Sequence, residues 1–392
     1  MKLGTLLIHN GHDTDPATGA LGTPVYQTST FDRGPEFDLS GGPPPAAGRL
    51  DYEYSRSGNP TRKALEDAAA LLEGGSSAYA FSSGIAAIAS TLGIFAAGDH
   101  IISAEDIYGG SYRVLNTYFK RWGLEHTALS VVNPDTIRAA IRPATKALFM
   151  ETPSNPLLKI TDLRASCAAA QEAGLITIVD NTFMTPFLQR PLELGADIVV
   201  HSATKFLGGH SDVIAGIAVT KTPELGKRVY AVLNGFGAVL GPWDCFLVLR
   251  GIKTLQVRIE AQQKTASLIA DFLSRHPNVE AVYYPGMAER AQREIHEAQA
   301  AGPGAVLSFK TKTVDQALSF LGKTRLAVPA VSLGGVETIA SYPVKMSHAS
   351  IPPVERERLG ISKSLIRISA GLEDAGDLIA DFDSALNCAA TT

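Results

Sequence analysis

The feature that most restricts this chain is a short apolar run, Asp197-Ile198-Val199-Val200, that breaks into His201-Ser202-Ala203-Thr204-Lys205. The run is too short for a free-standing helix, and its β-branched content suits a strand buried on both faces. Such strands belong to parallel sheets covered by helices, so an α/β fold is expected. A lysine just past the carboxyl end of a parallel strand stands in the crevice where open α/β sheets bind their ligands. Desolvation there makes the amine nucleophilic at neutral pH. Ser202 and Thr204 lie close before Lys205, so two hydroxyls are available to anchor a phosphate near it. An aldehyde cofactor that carries a phosphate suits the combination.

Upstream, Gly174-Leu175-Ile176-Thr177-Ile178-Val179 is another apolar strand, and it ends at a single polar residue, Asp180. A buried carboxylate is costly unless a cation or donors hold it. The pyridinium nitrogen of pyridoxal phosphate would be that cation. Asp180 and Lys205 then form the pair a pyridoxal enzyme needs, one for the ring nitrogen and one for the aldehyde carbon.

Five motifs occur in order: Tyr54-Ser55-Arg56-Ser57-Gly58-Asn59-Pro60-Thr61, Glu151-Thr152-Pro153-Ser154-Asn155-Pro156, Asp180-Asn181-Thr182, Ser202-Ala203-Thr204-Lys205 and Ser332-Leu333-Gly334-Gly335. Together they resemble the Cys/Met-metabolism pyridoxal enzymes, over residues 5 to 387. The resemblance implies a fold-type I PLP-dependent transferase, with a mostly parallel seven-stranded sheet between helices and a smaller C-terminal α/β domain. The expected division is an N-terminal arm over 1–50, a cofactor-binding domain over 51–245 and a second domain over 246–392.

The same resemblance distributes roles. Tyr54 and Arg56 are expected to hold the cofactor phosphate of a neighbouring subunit, since a phosphate dianion favours an arginine fork. Ser83, Gly84 and Ile85, at a strand-to-helix turn, become the phosphate cup, where backbone N–H groups meet an anion at a positive helix end. Ser202, Thr204 and Thr182 join the cofactor shell. Tyr108 would stack on the pyridine ring and move protons beside Lys205 and Asp180. Asn155, Ser332 and Tyr54 would face the substrate. Arg367, alone in the apolar run Leu365-Ile366-Arg367-Ile368-Ser369, would clamp its α-carboxylate.

Helices are expected over 61–72, stopped by Gly74-Gly75, and over 255–273. The 40–45 stretch, Ser-Gly-Gly-Pro-Pro-Pro, forbids regular structure. Other chemistries fit less well. Gly235-Phe236-Gly237 has the wrong spacing for a dinucleotide loop. His201, His210 and Asp212 match no common ligand set, so no metal is expected. Net charge is −4, from 35 basic and 39 acidic residues without long blocks of one sign, which asks for neither nucleic acid nor an anionic membrane. Three scattered cysteines, with no signal peptide or long apolar run, suit a soluble protein in a reduced cytoplasm.

Within the family, cystathionine γ-synthases and γ-lyases commonly carry Glu before Ser-Leu-Gly-Gly. Here Val331 stands in that place and looks more like the cystathionine β-lyases. Gly110 occupies the place where methionine γ-lyases carry cysteine, whereas Glu53 resembles the γ-lyases. The expected activity is therefore carbon–sulfur β-elimination from a sulfur amino acid, and the resemblance implies a homotetramer. Alternatives are γ-lyase, or γ-synthase and O-acylhomoserine sulfhydrylase chemistry, then an aminotransferase or a non-catalytic binding protein.

Overall fold

Strands of five to seven residues, mostly apolar except at the edge strand β3, build the large sheet: β1 Ser77–Phe81, β2 His100–Ala104, β3 Glu125–Leu129, β4 Thr145–Glu151, β5 Ile176–Asp180, β6 Ile198–Ser202 and β7 Gly216–Thr220. They lie in the order β1-β7-β6-β5-β4-β2-β3. From β6 to β3 every pairing is parallel, and only β7 runs against its neighbours. Successive residues of a strand face opposite sides. Accordingly Val179 and Val199 pack with Leu65, Ala68 and Leu72 of one helix, while Ile178, Ile198 and Val200 pack with Ala87, Ile88 and Leu92 of another. Burying each such valine or isoleucine contributes roughly 1.5–3 kcal/mol. This two-sided burial holds the strand tips still.

The computed structural model describes residues 1–9, 14–15, 18–32 and 52–387; the 40–45 stretch and Cys388 lie outside them. Within the expected N-terminal arm, Leu3–His9 forms a helix that buries Leu7 in the large core. The helix expected over 61–72 runs Pro60–Glu73. Asn59 caps it, accepting from the N–H groups of Thr61 and Arg62, and Gly74 ends it at φ 75°.

A second sheet holds β8 Val279–Tyr283, β9 Val306–Thr311, β10 Val328–Pro329, β11 Ile339–Ser341 and β12 Leu365–Ser369, ordered β10-β11-β12-β9-β8. It is antiparallel except for the β10–β11 pair. The expected second domain begins inside the Pro242–Ile252 helix, whose Cys245, Val248 and Leu249 belong to the large core. The change of core comes later, along the Leu255–Arg275 helix: Leu255 and Ile259 join the first sheet, Ala266 to Leu273 the second.

Candidate active site

Parallel pairing sets Asp180, at the end of β5, opposite Val200 of β6 and Glu151 of β4. Asp180 is buried, and its Oδ1 accepts from the Thr182 N–H at 3.0 Å and the Thr182 hydroxyl at 2.5 Å. Thr182 Oγ1 in turn accepts from the Ser202 N–H at 2.8 Å, tying the two strand tips together. Burial raises the pKa of Asp180 against the opposing bonds from Thr182. Glu151 is pushed well above the usual carboxylate range, first by burial and then by Asp180. Two buried acids side by side resist ionising together, and a cation set between them relieves both.

Lys205 lies in the turn after β6 and is mostly buried. Its Nζ donates to Ser332 Oγ at 2.6 Å. Burial, and then the charge of Arg367, lowers its pKa to about 8, within reach of a neutral, nucleophilic amine. Ser332 comes from the second domain and sits at φ 95°, a conformation held by its surroundings. Two residues on, Gly334 has φ 80°, and a Cβ there would come 2.6 Å from Phe206 N. Glycine thus lets this loop rest directly on the lysine turn.

Arg367 is 2% exposed in the middle of β12. Its Nη1 donates to Asn155 Oδ1 at 3.0 Å, and its Nη2 to Ser332 O at 2.7 Å and Ser341 Oγ at 3.1 Å. Its Nε is buried without a partner, and among the described residues no acid forms an ion pair with it. Burial brings its pKa down to about 10, against the pull of Glu151. A buried guanidinium that touches only neutral acceptors is a ready seat for a carboxylate.

Ser83 caps the Gly84–Leu92 helix, accepting from the Ala86 N–H at 3.1 Å. The N–H groups of Gly84 and Ile85 keep no protein partner among the described residues. A Cβ on Gly84 would lie 2.6 Å from Ser202 Cβ, so this glycine also admits the tip of β6. The two hydroxyls near Lys205 differ from each other. Thr204 Oγ1 donates to Ala215 O and accepts from Ala215 N–H, so its one hydrogen already has a backbone partner. Of these two, Ser202 has a hydroxyl without a partner among the described residues, whereas Thr204 would have to give up its bond to Ala215 O to meet a phosphate.

Tyr108 is 39% exposed, and its N–H donates to Glu151 at 2.8 Å. Its ring lies over Gly110, where a Cβ would come 2.3 Å from Tyr108 Cε1. Tyr54 and Arg56 are not joined to this cluster by any hydrogen bond among the described residues. Arg56 donates to Asn234 O at 2.8 Å and to its Oδ1 at 3.1 Å, and lies 5.6 Å from the Tyr54 ring. The two histidines near the lysine are engaged elsewhere, His201 with Glu73 and His210 with Gly208 O. Among the described residues no group of three His, Cys, Asp or Glu is placed to hold a metal, and no helix is long and apolar enough to cross a membrane.

A cleft of about 650 Å³ opens beside Ser332, between Thr204, Ser211, Val213 and the exposed Val331. A second, of about 660 Å³, lies between Glu66, Tyr79 and Tyr230 and has none of these groups in its wall. Three buried groups escape the sequence reading as separate members of the site: Glu151 as a charged group, Asp106, which accepts from Ser154 Oγ at 2.5 Å, and His348. Glu151 carried the same signal as Asp180, an acid closing an apolar strand.

These residues fit pyridoxal phosphate: paired acids for the ring nitrogen, a lysine of lowered basicity, and two free N–H groups with a serine hydroxyl for the phosphate. The family model for Cys/Met metabolism PLP-dependent enzymes matches residues 4–387. A cystathionine beta-lyase of Bacillus subtilis (strain 168) is 50% identical over 98% of this chain and 96% of its own length. A cystathionine gamma-lyase of the same strain is 48% identical over 98% and 99%. Among solved structures, cystathionine gamma-lyase from Lactobacillus plantarum complexed with L-serine superimposes with a TM-score of 0.93 at 42% identity, covering 98% of each chain.

Proposed function

The chain belongs to the Cys/Met metabolism PLP-dependent enzymes, and from that premise we propose that it is a cystathionine β-lyase. It takes cystathionine and water to homocysteine, pyruvate and ammonia. The observation that carries this reading is the site's composition: a lysine of lowered basicity, a buried acid pair and an unpaired buried arginine converge, and the apolar Val331 lines the cleft next to Ser332, the lysine's hydrogen-bond partner. Bound pyridoxal phosphate supplies the sink for the electron pair released from the substrate Cα–H bond.

The protein's residues do the rest. Arg367 binds the α-carboxylate through its fork and orients Cα. Lys205 holds the cofactor between turnovers and, when free, takes the Cα proton; Ser332 Oγ keeps its amine in place. Asp180 keeps a proton on the ring nitrogen. Tyr108, or Lys205 once protonated, gives a proton to the departing thiol on the β carbon. One proton removal from carbon is enough for β-elimination, while a γ substituent needs a second, at Cβ.

A cytoplasmic homotetramer of two catalytic dimers is part of the proposal. Supporting it are the family resemblance and the position of Tyr54 and Arg56, outside their own chain's cluster yet suited to a phosphate. The reduced, buried Cys167 and Cys245 agree with a cytoplasmic setting. The second reading, cystathionine γ-lyase, is favoured by the γ-lyase relative and by Glu53. Purified protein given cystathionine should release pyruvate and homocysteine; cysteine with 2-oxobutyrate would transfer the assignment to γ-lyase. Val331→Glu should shift the product ratio toward 2-oxobutyrate, and an unchanged ratio would remove Val331 from the argument.

A further inference from the structure

We propose that His348 is a positioning residue of the carboxylate clamp, acting on Arg367 through Asn155. The inference rests on the reading that Arg367 takes the substrate carboxylate. His348 lies in the loop that follows β11 and is fully buried. Its Nε2 is 2.9 Å from Asn155 O, and its Nδ1 is 2.8 Å from Ser347 Oγ. A backbone carbonyl only accepts, so Nε2 carries the hydrogen and Nδ1 accepts from Ser347. Burial, followed by the nearby Arg367, pushes the pKa of this imidazole down to about 4 against the pull of the Asn155 and Ile107 carbonyls, which keeps it neutral.

The residue it pins is the one that meets the guanidinium. Asn155 presents its backbone carbonyl to His348 and its Oδ1 to Arg367 Nη1. The same loop lies against the tyrosine turn: a Cβ on Gly109 would come 2.1 Å from Ser347 O. Arg356 holds the loop from behind, donating to Val344 O and, at 3.4 Å, to His348 O. Without the imidazole N–H, the Asn155 carbonyl is left buried and unsatisfied. The Asn155 side chain then loses its fixed orientation, and with it Arg367 loses one of the three acceptors that aim its fork. Lys205 and Asp180 keep all their hydrogen bonds.

The test compares two ligands of the cofactor-loaded enzyme, L-serine and ethanolamine, which differ by the carboxylate, with binding read from cofactor absorbance. His348→Leu should weaken L-serine and raise KM for cystathionine by about tenfold, with kcat within about threefold and ethanolamine binding unchanged. His348→Gln, which keeps a donor, should stay within about threefold of wild type in all three. Equal weakening of both ligands, a fall in kcat at constant KM, or a Gln variant as poor as the Leu variant would overturn the proposal. If His348→Leu does not fold, Ser347→Ala should weaken L-serine about threefold and spare ethanolamine, and no change would count against the proposal. The ligand contrast is independent of whether wild type yields pyruvate or 2-oxobutyrate, so failure of the β-lyase reading is separately visible.

Discussion

Asp180 and Lys205 reach the site from the tips of β5 and β6, whereas Arg367 and Ser332 reach it from the second sheet and its preceding loop. The first pair stands on strands whose two faces are buried in separate cores, and a backbone ladder joins those strands. The second pair meets it through a loop that packs Leu333 into the large core and Gly334 against Phe206, and through polar contacts: Lys205 with Ser332, Arg367 with Asn155, and His348 with the Asn155 carbonyl. Ser308 Oγ on Pro156 O and Arg358 on Glu105 add two more ties between the domains. On the proposed roles, the proton-transfer chemistry stands on the rigid sheet. On the same proposed roles, substrate capture stands where loss of a single hydrogen bond can be felt.

The comparison breaks most sharply at the strand tip. Asp180→Asn should lower kcat about 10³-fold, because the ring nitrogen loses the carboxylate that keeps it protonated. It should leave the fold intact, and a variant with more than a tenth of wild-type kcat would show that the acid pair has another purpose.

Arg367→Lys should act mainly on capture. A single ammonium cannot reproduce a fork that spans Asn155, Ser332 and Ser341, so KM should rise about 30-fold with a smaller change in kcat. A kcat loss matching that of Asp180→Asn would erase the division between the two regions.

A smaller effect sharpens the contrast between acids that await a ligand and one that does not. Glu66, beneath the large sheet, accepts from Ala80 N–H and faces Arg62 at 3.4 Å; burial raises its pKa from 4.5 to about 7. Since the folded pKa lies above the unfolded value, its favourable contribution is fully present below about pH 4.5 and is lost as pH rises through 7. Glu66→Gln should therefore match wild type at pH 4.5 and be more stable at pH 8 by about 1–3 kcal/mol, read by chemical denaturation. Equal stability at pH 8 would mean that Glu66 is better solvated than its burial implies.

Much of this site was legible residue by residue. Lys205, Asp180 and Arg367 each interrupt or close an apolar run, a local signal that survives without knowledge of the fold. Glu151 carries that signal too, but its weight depends on β4 lying beside β5. The bond of the Thr204 hydroxyl to a backbone segment eleven residues downstream, at Ala215, has no local signal. Nothing in the sequence around Arg56 names Asn234 as its partner. His348 lies 193 residues from the carbonyl it holds, too far for any spacing rule.

By itself, then, the chain's sequence determined which groups would stand at the ends of buried strands, because a polar residue that ends an apolar run can only be exposed at that end or paired there. Only the tertiary structure decided which of those groups share a site, and which hydroxyls and donors remain free within it. Those outcomes depend on angstrom-scale approaches between segments far apart in the chain, at glycines such as Gly84 and Gly334 where the backbone leaves no room for a Cβ.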